Sequence, residues 1–230
     1  MGEKIAEKVY QLEIAKEKWT EIQTVSKESG NFRFNHTAVY FEGKIYLFGG
    51  ETITLSNFTS RTLLNDVRIL DLSTLVWVSV PPGQNFVTPR RNHSCALYKS
   101  FMMIHGGLSV TGQTLNDFWI FNLKHFKWEN FKLAGGVFPA LCYHTMILVE
   151  SVNSVKDFGT SLPVEGIFIF GGKKGADFIS SNDIYVIPLK KSMTRALESY
   201  FLQTTKEAFT KKYGMLSHYW FKLPTVGTPP

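Results

Sequence analysis

Three pairs of adjacent glycines, each closing a short apolar run, constrain this 230-residue chain more than any other feature. They stand at Gly49-Gly50, Gly106-Gly107 and Gly171-Gly172, after Ile45-Tyr-Leu-Phe, Met103-Ile-His and Ile167-Phe-Ile-Phe. Each pair sits inside a longer pattern that occurs three times, the signature of a repeat architecture. Before the glycines a histidine leads a small or apolar run: His36-Thr-Ala-Val-Tyr40, His93-Ser-Cys-Ala-Leu-Tyr98 and His144-Thr-Met-Ile-Leu-Val149. After them Asn65-Asp66, Asn116-Asp117 and Asn182-Asp183 each open another apolar run. A turn and a tryptophan segment follow, at Trp77-Val-Ser-Val and Trp128-Glu-Asn-Phe; in the third copy Trp220-Phe-Lys-Leu arrives late.

Each copy reads as four short strands, A to D, rich in β-branched and aromatic residues and bounded by turn residues. A four-strand unit of about 50 residues predicts a propeller blade. Small residues such as Ala38, Ser94, Cys95 and Ala96 suit a strand A crowded against a central axis. Glycines allow backbone conformations and close approaches that a side chain would block. Tryptophan supplies a large apolar surface for the gap between blades, and Asn-Asp supplies turn hydrogen bonds where strand C starts.

These landmarks resemble the kelch repeat, and the resemblance covers about residues 10–223. In that family the glycine pair ends strand B and the tryptophan lies on strand D. The expected fold is all-β, a kelch β-propeller segment of about three and a half four-stranded blades with one helical insertion in the last. Residues 9–25, with Trp19, read as strands C and D of an incomplete blade; 33–81, 90–133 and 141–223 read as blades. The last carries insertions at 150–165 and 190–218; in the second, Met193, Leu197, Tyr200, Phe201, Thr204 and Ala208 fall on one face at helical spacing. The whole of 1–230 is read as one segment of a larger propeller, expected to self-associate or to be completed by further chain.

The bulk numbers narrow the function. A 44% hydrophobic content is enough for a sizeable core, and two cysteines, Cys95 and Cys142, make neither a disulfide framework nor a zinc site. No secretory leader is visible and no apolar run approaches the roughly 18 residues of a membrane span, so a cytoplasmic protein away from membranes is expected. The N-x-S/T triplets at Asn35, Asn57 and Asn92 then read as chance matches. The three histidines occupy one slot in successive blades, which suits local backbone contacts rather than convergence on a metal.

The turns joining B to C and D to the next A share one face. That face collects Arg33, Arg61, Arg90, Arg91, Lys173 and Lys174 against few acids, Glu28, Glu51 and Asp177, within a net charge of +6. Charge-assisted hydrogen bonds suit such a face to an acidic or phosphorylated protein segment. The competing reading makes these solvated charges, with Arg33 and Arg90 structural at the blade starts. Nucleic acid is disfavoured, since interleaved aromatics and any recognised nucleic-acid motif are missing. P-loop, G-x-S-x-G and H-E-x-x-H motifs are also missing. A non-catalytic interaction scaffold or adaptor without cofactors is expected. The resemblance leaves alternatives: a copper oxidase, which a leaderless chain with cysteines on inner strands suits poorly; a regulatory domain of a larger enzyme such as a serine/threonine phosphatase; or an E3 ligase substrate adaptor.

Overall fold

The computed structural model describes residues 8–26, 32–53, 61–80, 86–132, 137–149, 166–175, 177–189 and 221–222. Both insertions expected in the last blade, including the helical one at 190–218, and Trp220 lie outside the described residues. What is described is all-β apart from one turn of 3-10 helix, Ile14–Lys16.

β1 (Val9–Glu13) and β2 (Lys18–Ile22) form an antiparallel hairpin, Val9 opposite Ile22. β3 (Val25–Ser26) follows. The first complete blade then runs β4 (Thr37–Phe41), β5 (Lys44–Phe48), the short ribbon β6 (Glu51–Ile53) and β7 (Arg61–Leu63), and β8 (Val67–Asp71) and β9 (Val76–Ser79). The second is β10 (Ser94–Tyr98), β11 (Phe101–His105), β12 (Phe118–Asn122) and β13 (Lys127–Asn130). In the third, β14 (Leu141–Cys142) precedes β15 (Thr145–Val149) and β16 (Gly166–Phe170). The strands β17 (Lys173–Lys174) and β18 (Ile179–Ser180) pair outside the main sheet, which β19 (Ile184–Pro188) and β20 (Phe221–Lys222) complete. All three blades are antiparallel meanders, and their first strands β4, β10 and β15 are neighbours. The chain thus forms a kelch-type propeller segment.

One strand departs from the up-and-down pattern. β3 adds to the outer edge of the first blade, parallel to β9, with Val25 opposite Val76. The Val25 amide donates to Leu75 O at 2.8 Å, and the Trp77 indole donates to Thr24 Oγ1 at 3.1 Å.

A blade sheet is covered on both faces, so its middle strands are apolar throughout rather than alternating. In β11 all five residues are buried. Met102 and Ile104 join Val39, Tyr46, Phe48 and Trp128 in the core between the first and second blades. Met103 faces the other way, into a core with Met146, Ile167, Ile169 and Tyr185 of the third blade. Trp128 reaches backward to the first blade, 4.7 Å from Phe48, while Trp77 packs on Leu47 and Leu70 of its own blade with Val9 of β1 against it. Trp19, in the corresponding place on β2, is exposed.

The glycine pairs sit where the blades touch. Gly106 has φ +66, and a Cβ there would lie 2.2 Å from Leu141 O, the backbone of the incoming third blade. Gly49 would meet Arg90 O of the second blade at 2.9 Å. In the first two pairs the second glycine donates across the same seam: Gly50 N to Arg90 O and Gly107 N to Leu141 O, both 2.8 Å. Gly171 also has positive φ, but its nearest described atom is Ser181 O at 3.5 Å. Gly106→Ala should therefore cost about 3 kcal/mol or more, strain plus a displaced backbone, whereas Gly171→Ala should cost about 1 kcal/mol from φ alone. Chemical denaturation of the two variants measures the gap.

Candidate partner-binding face

Above each main sheet, residues just before strand A pair with residues just after the glycines. Phe34 bridges Glu51, Arg91 bridges Leu108, and Cys142 pairs with Lys173. These pairings hold the turns on which the expected basic residues stand.

Arg33 and Arg90 are buried, and each makes a bidentate pair inside its own blade. Arg33 reaches Asp66 at 2.8 and 2.9 Å and Gly49 O at 3.2 Å. Arg90 reaches Asp117 at 2.7 Å through both nitrogens and Gly106 O at 3.0 Å. Burial opposes ionisation of Asp117, but the Arg90 bonds and charge, with the Trp119 indole, hold its carboxyl below the usual range. The asparagine beside Asp66 has a separate role: Asn65 Nδ2 donates to Val87 O at 2.9 Å, fixing the segment that enters the second blade.

The third blade has Leu141 in the arginine slot and supplies positive charge from elsewhere. Lys174 on β17 and Lys222 on β20 both reach Asp183. Asp183 also accepts from Tyr185 OH at 2.9 Å, and its backbone N–H donates to Ser181 Oγ at 3.2 Å. Burial acts against it, yet these partners hold the Asp183 carboxyl well below the usual range.

Arg91 and Arg61 meet at Glu51, which is fully buried. Arg91 Nη1 lies 3.0 and 3.2 Å from its two oxygens, Asn35 Nδ2 donates at 2.8 Å, and Arg61 Nη1 approaches to 3.6 Å. Arg91 belongs to the second blade and Glu51 to the first, so this cluster ties the seam. Arg61 remains exposed. In the third blade the residue in Glu51's place is Lys173, exposed, with Nζ 5.8 Å from the Tyr143 ring centroid. Of the six cations, then, Arg61, Lys173 and part of Lys174 and Arg91 face solvent.

Sequence reasoning passed over Tyr143. The residues before the three histidines are Asn35, Asn92 and Tyr143, with φ of 57°, 53° and 57°. Asn92 N donates to Asn35 O and Tyr143 N to Asn92 O, each 3.0 Å, stepping from blade to blade. Asparagine tolerates the left-handed region and tyrosine does so at a cost. The Tyr143 side chain is nevertheless 54% exposed, so packing on its own chain returns little for that cost. Aligning the three positions in the sequence is enough to show that tyrosine is the odd one.

The histidines lie in the seams below. His93 Nε2 is 2.8 Å from Thr37 Oγ1 of the preceding blade, and His144 Nε2 is 3.0 Å from Nδ1 of His105. Their Cε1 atoms would lie 3.0 and 3.1 Å from a Cβ on Gly49 and Gly106, so each ring occupies space that glycine leaves. Burial, then the Arg90 charge, pushes His93 well below its usual value; burial alone brings His144 to about 4. Among the described residues no three histidine, cysteine or acidic side chains group as a metal site. Burial raises both Cys95 and Cys142, which are unpaired.

Residues 2–159, more than half of the chain, match the model of the KLHDC2/KLHL20/DRC7 Kelch-repeats domain. The chain belongs to the kelch-repeat family. Kelch domain-containing protein 3 of Homo sapiens is 29% identical over 170 residues, covering 70% of this chain and 40% of that protein. The leucine-zipper-like transcriptional regulator 1 homolog of Drosophila melanogaster is 25% identical over 150 residues, 65% of this chain and 14% of that protein. The tRNA wybutosine-synthesizing protein 4 of Rattus norvegicus is 28% identical over 114 residues, 47% of this chain and 16% of that protein. The chain spans less than half the length of these curated relatives. Kelch domains generally bind protein partners, and no helix among the described residues is long and apolar enough to cross a membrane.

Arg90→Ala should destabilise the fold by about 3–5 kcal/mol, because it strands Asp117, while Lys173→Ala should change stability by less than about 0.5 kcal/mol. Urea midpoints of the two variants check this.

Proposed function

We propose that this kelch segment is a non-catalytic interaction scaffold whose loop face receives an acidic or phosphorylated protein segment. The observation that carries the reading is Tyr143: a left-handed, half-exposed aromatic beside the exposed Lys173, in a slot that the other blades fill with asparagine. Backbone strain that local packing does not repay is a feature of binding sites. In this reading Lys173, Lys174, Arg61 and the exposed edge of Arg91 meet the anionic groups. Arg33 and Arg90 act behind them, holding the turns through Asp66 and Asp117. Tyr143 contributes an amphipathic ring of the kind enriched at interface centres. Two unpaired cysteines suit a reducing, cytoplasmic setting.

A second reading rests on one similarity. The match to tRNA wybutosine-synthesizing protein 4 supports a regulatory or substrate-presenting kelch module within a larger enzyme. The same face would then dock a neighbouring domain.

Tyr143→Asn gives the two readouts opposite signs. It relieves left-handed strain and should leave stability unchanged or raise it by about 0.5–1 kcal/mol. Capture of acidic and phosphoserine peptides on an array should fall at least tenfold, as it should with Lys173→Glu and Arg61→Glu. Unchanged capture by all three variants at normal melting would remove this face from consideration.

A further inference from the structure

The two seams between complete blades share one plan but differ in the side chain that meets the incoming histidine. In each, the histidine that opens a blade lies over the first glycine of the blade before. The residue preceding that glycine is Phe48 in the first seam and His105 in the second. His93 therefore meets the edge of a phenylalanine ring, at 5.3 Å, and bonds the Thr37 hydroxyl. His144 meets a second imidazole, in hydrogen-bond contact through Nε2 and Nδ1.

This difference alters what a proton does. A threonine hydroxyl can turn to donate or to accept, so His93 keeps its partner in either charge state. Between two imidazoles only one nitrogen can carry the shared hydrogen. A first proton leaves an unneutralised cation in the seam; a second sets N–H against N–H. A backbone hydrogen bond with Pro139 favours the protonated His105 ring, but burial and the neighbouring charges outweigh it. Phe118 on β12 and Phe138 before β14 pack against His105, at 5.6 and 4.7 Å. The charged group that faces the pair is Arg90, before β10, and it is positive. Its carboxylate, Asp117, is already bound by both Arg90 nitrogens and the Trp119 indole. His93, ahead of β10, is the remaining titratable neighbour. Both rings of the pair are buried, and His144 leaves its outer nitrogen, Nδ1, without a hydrogen bond.

We propose that the His105–His144 pair makes the joint between the second and third blades a proton-sensitive hinge, which loosens further on mild acidification than the first joint does. The segment it releases, Leu141 to His144, also carries Tyr143. The hinge stands without the partner reading above; if that reading holds, acid would also disturb the partner face.

The sign follows from the depressed values. A histidine held neutral in the closed seam gains its proton on opening, so closure is fully favoured above the ordinary value of 6.5 and weakens as pH falls toward the closed-state value. With His144 at about 4 when closed, the opening equilibrium rises about 30-fold at pH 5. His93 gives the first seam a comparable group, so the difference between seams reports His105.

Amide hydrogen exchange on the whole chain reads this directly, after correction for the intrinsic rate. Between pH 7.5 and pH 5, Gly107 and Tyr143, which bond across the second seam, should lose at least tenfold more protection than Gly50 and Asn92, which bond across the first. In His105→Phe, the residue found in the other two blades, that excess should disappear. Should His105→Phe not fold, His105→Asn keeps a hydrogen bond toward His144 without titrating and should give the same flattening. Equal losses at both seams in the unaltered protein, or an excess that survives either substitution, would overturn the hinge.

Discussion

The structure depends on the approach of one blade's backbone to the glycine pair of the blade before. Where Gly106 faces Leu141 O, no side chain can intervene, so the amide of Gly107 reaches the same carbonyl at 2.8 Å. That contact sets the spacing between sheets. It decides that the histidine ring can lie over the first glycine, that Trp128 can reach backward onto the previous sheet, and that both faces of the middle strands are dry. The apolar character of β11 on both sides is a consequence of this spacing.

Around that contact the chain treats charge conservatively and sequence freely. Each blade needs a cation against the aspartate that opens its third strand. The first two use a buried, bidentate arginine on the entering segment. The third uses lysines from two other strands, arriving at Asp183 from different directions. Guanidinium offers a planar fork and ammonium a point charge, so two lysines stand where one arginine served. The leucine thus admitted at position 141 joins the core between the second and third blades.

How much of this was legible follows from the range of each interaction. The strands, the glycine pairs and the tryptophan positions are written in local pattern, and the propeller segment could be read from them. The parallel strand β3 could not, since two residues leave no periodicity. The cations stood out as clusters, with Arg33 and Arg90 already open to a structural reading, while Asp66, Asp117 and Glu51 looked like turn residues or isolated acids. Their partners lie 33, 27 and 40 residues away, beyond any local window. Tyr143 was hidden for the opposite reason, being adjacent to a landmark histidine that drew the attention.

The left-handed slot also bears on two of the triplets that look like glycosylation signals. Asn35 and Asn92 are asparagine because the backbone turns left there, and the following residues are histidine and a small β-former because strand A begins there. Asn35 spends its amide on the buried Glu51 carboxylate. A sugar-transferring enzyme would find that nitrogen occupied and its backbone bent the wrong way. The acceptor motif is thus a by-product of fold geometry, and any repeat with asparagine in this slot and serine or threonine after the histidine will spell it again.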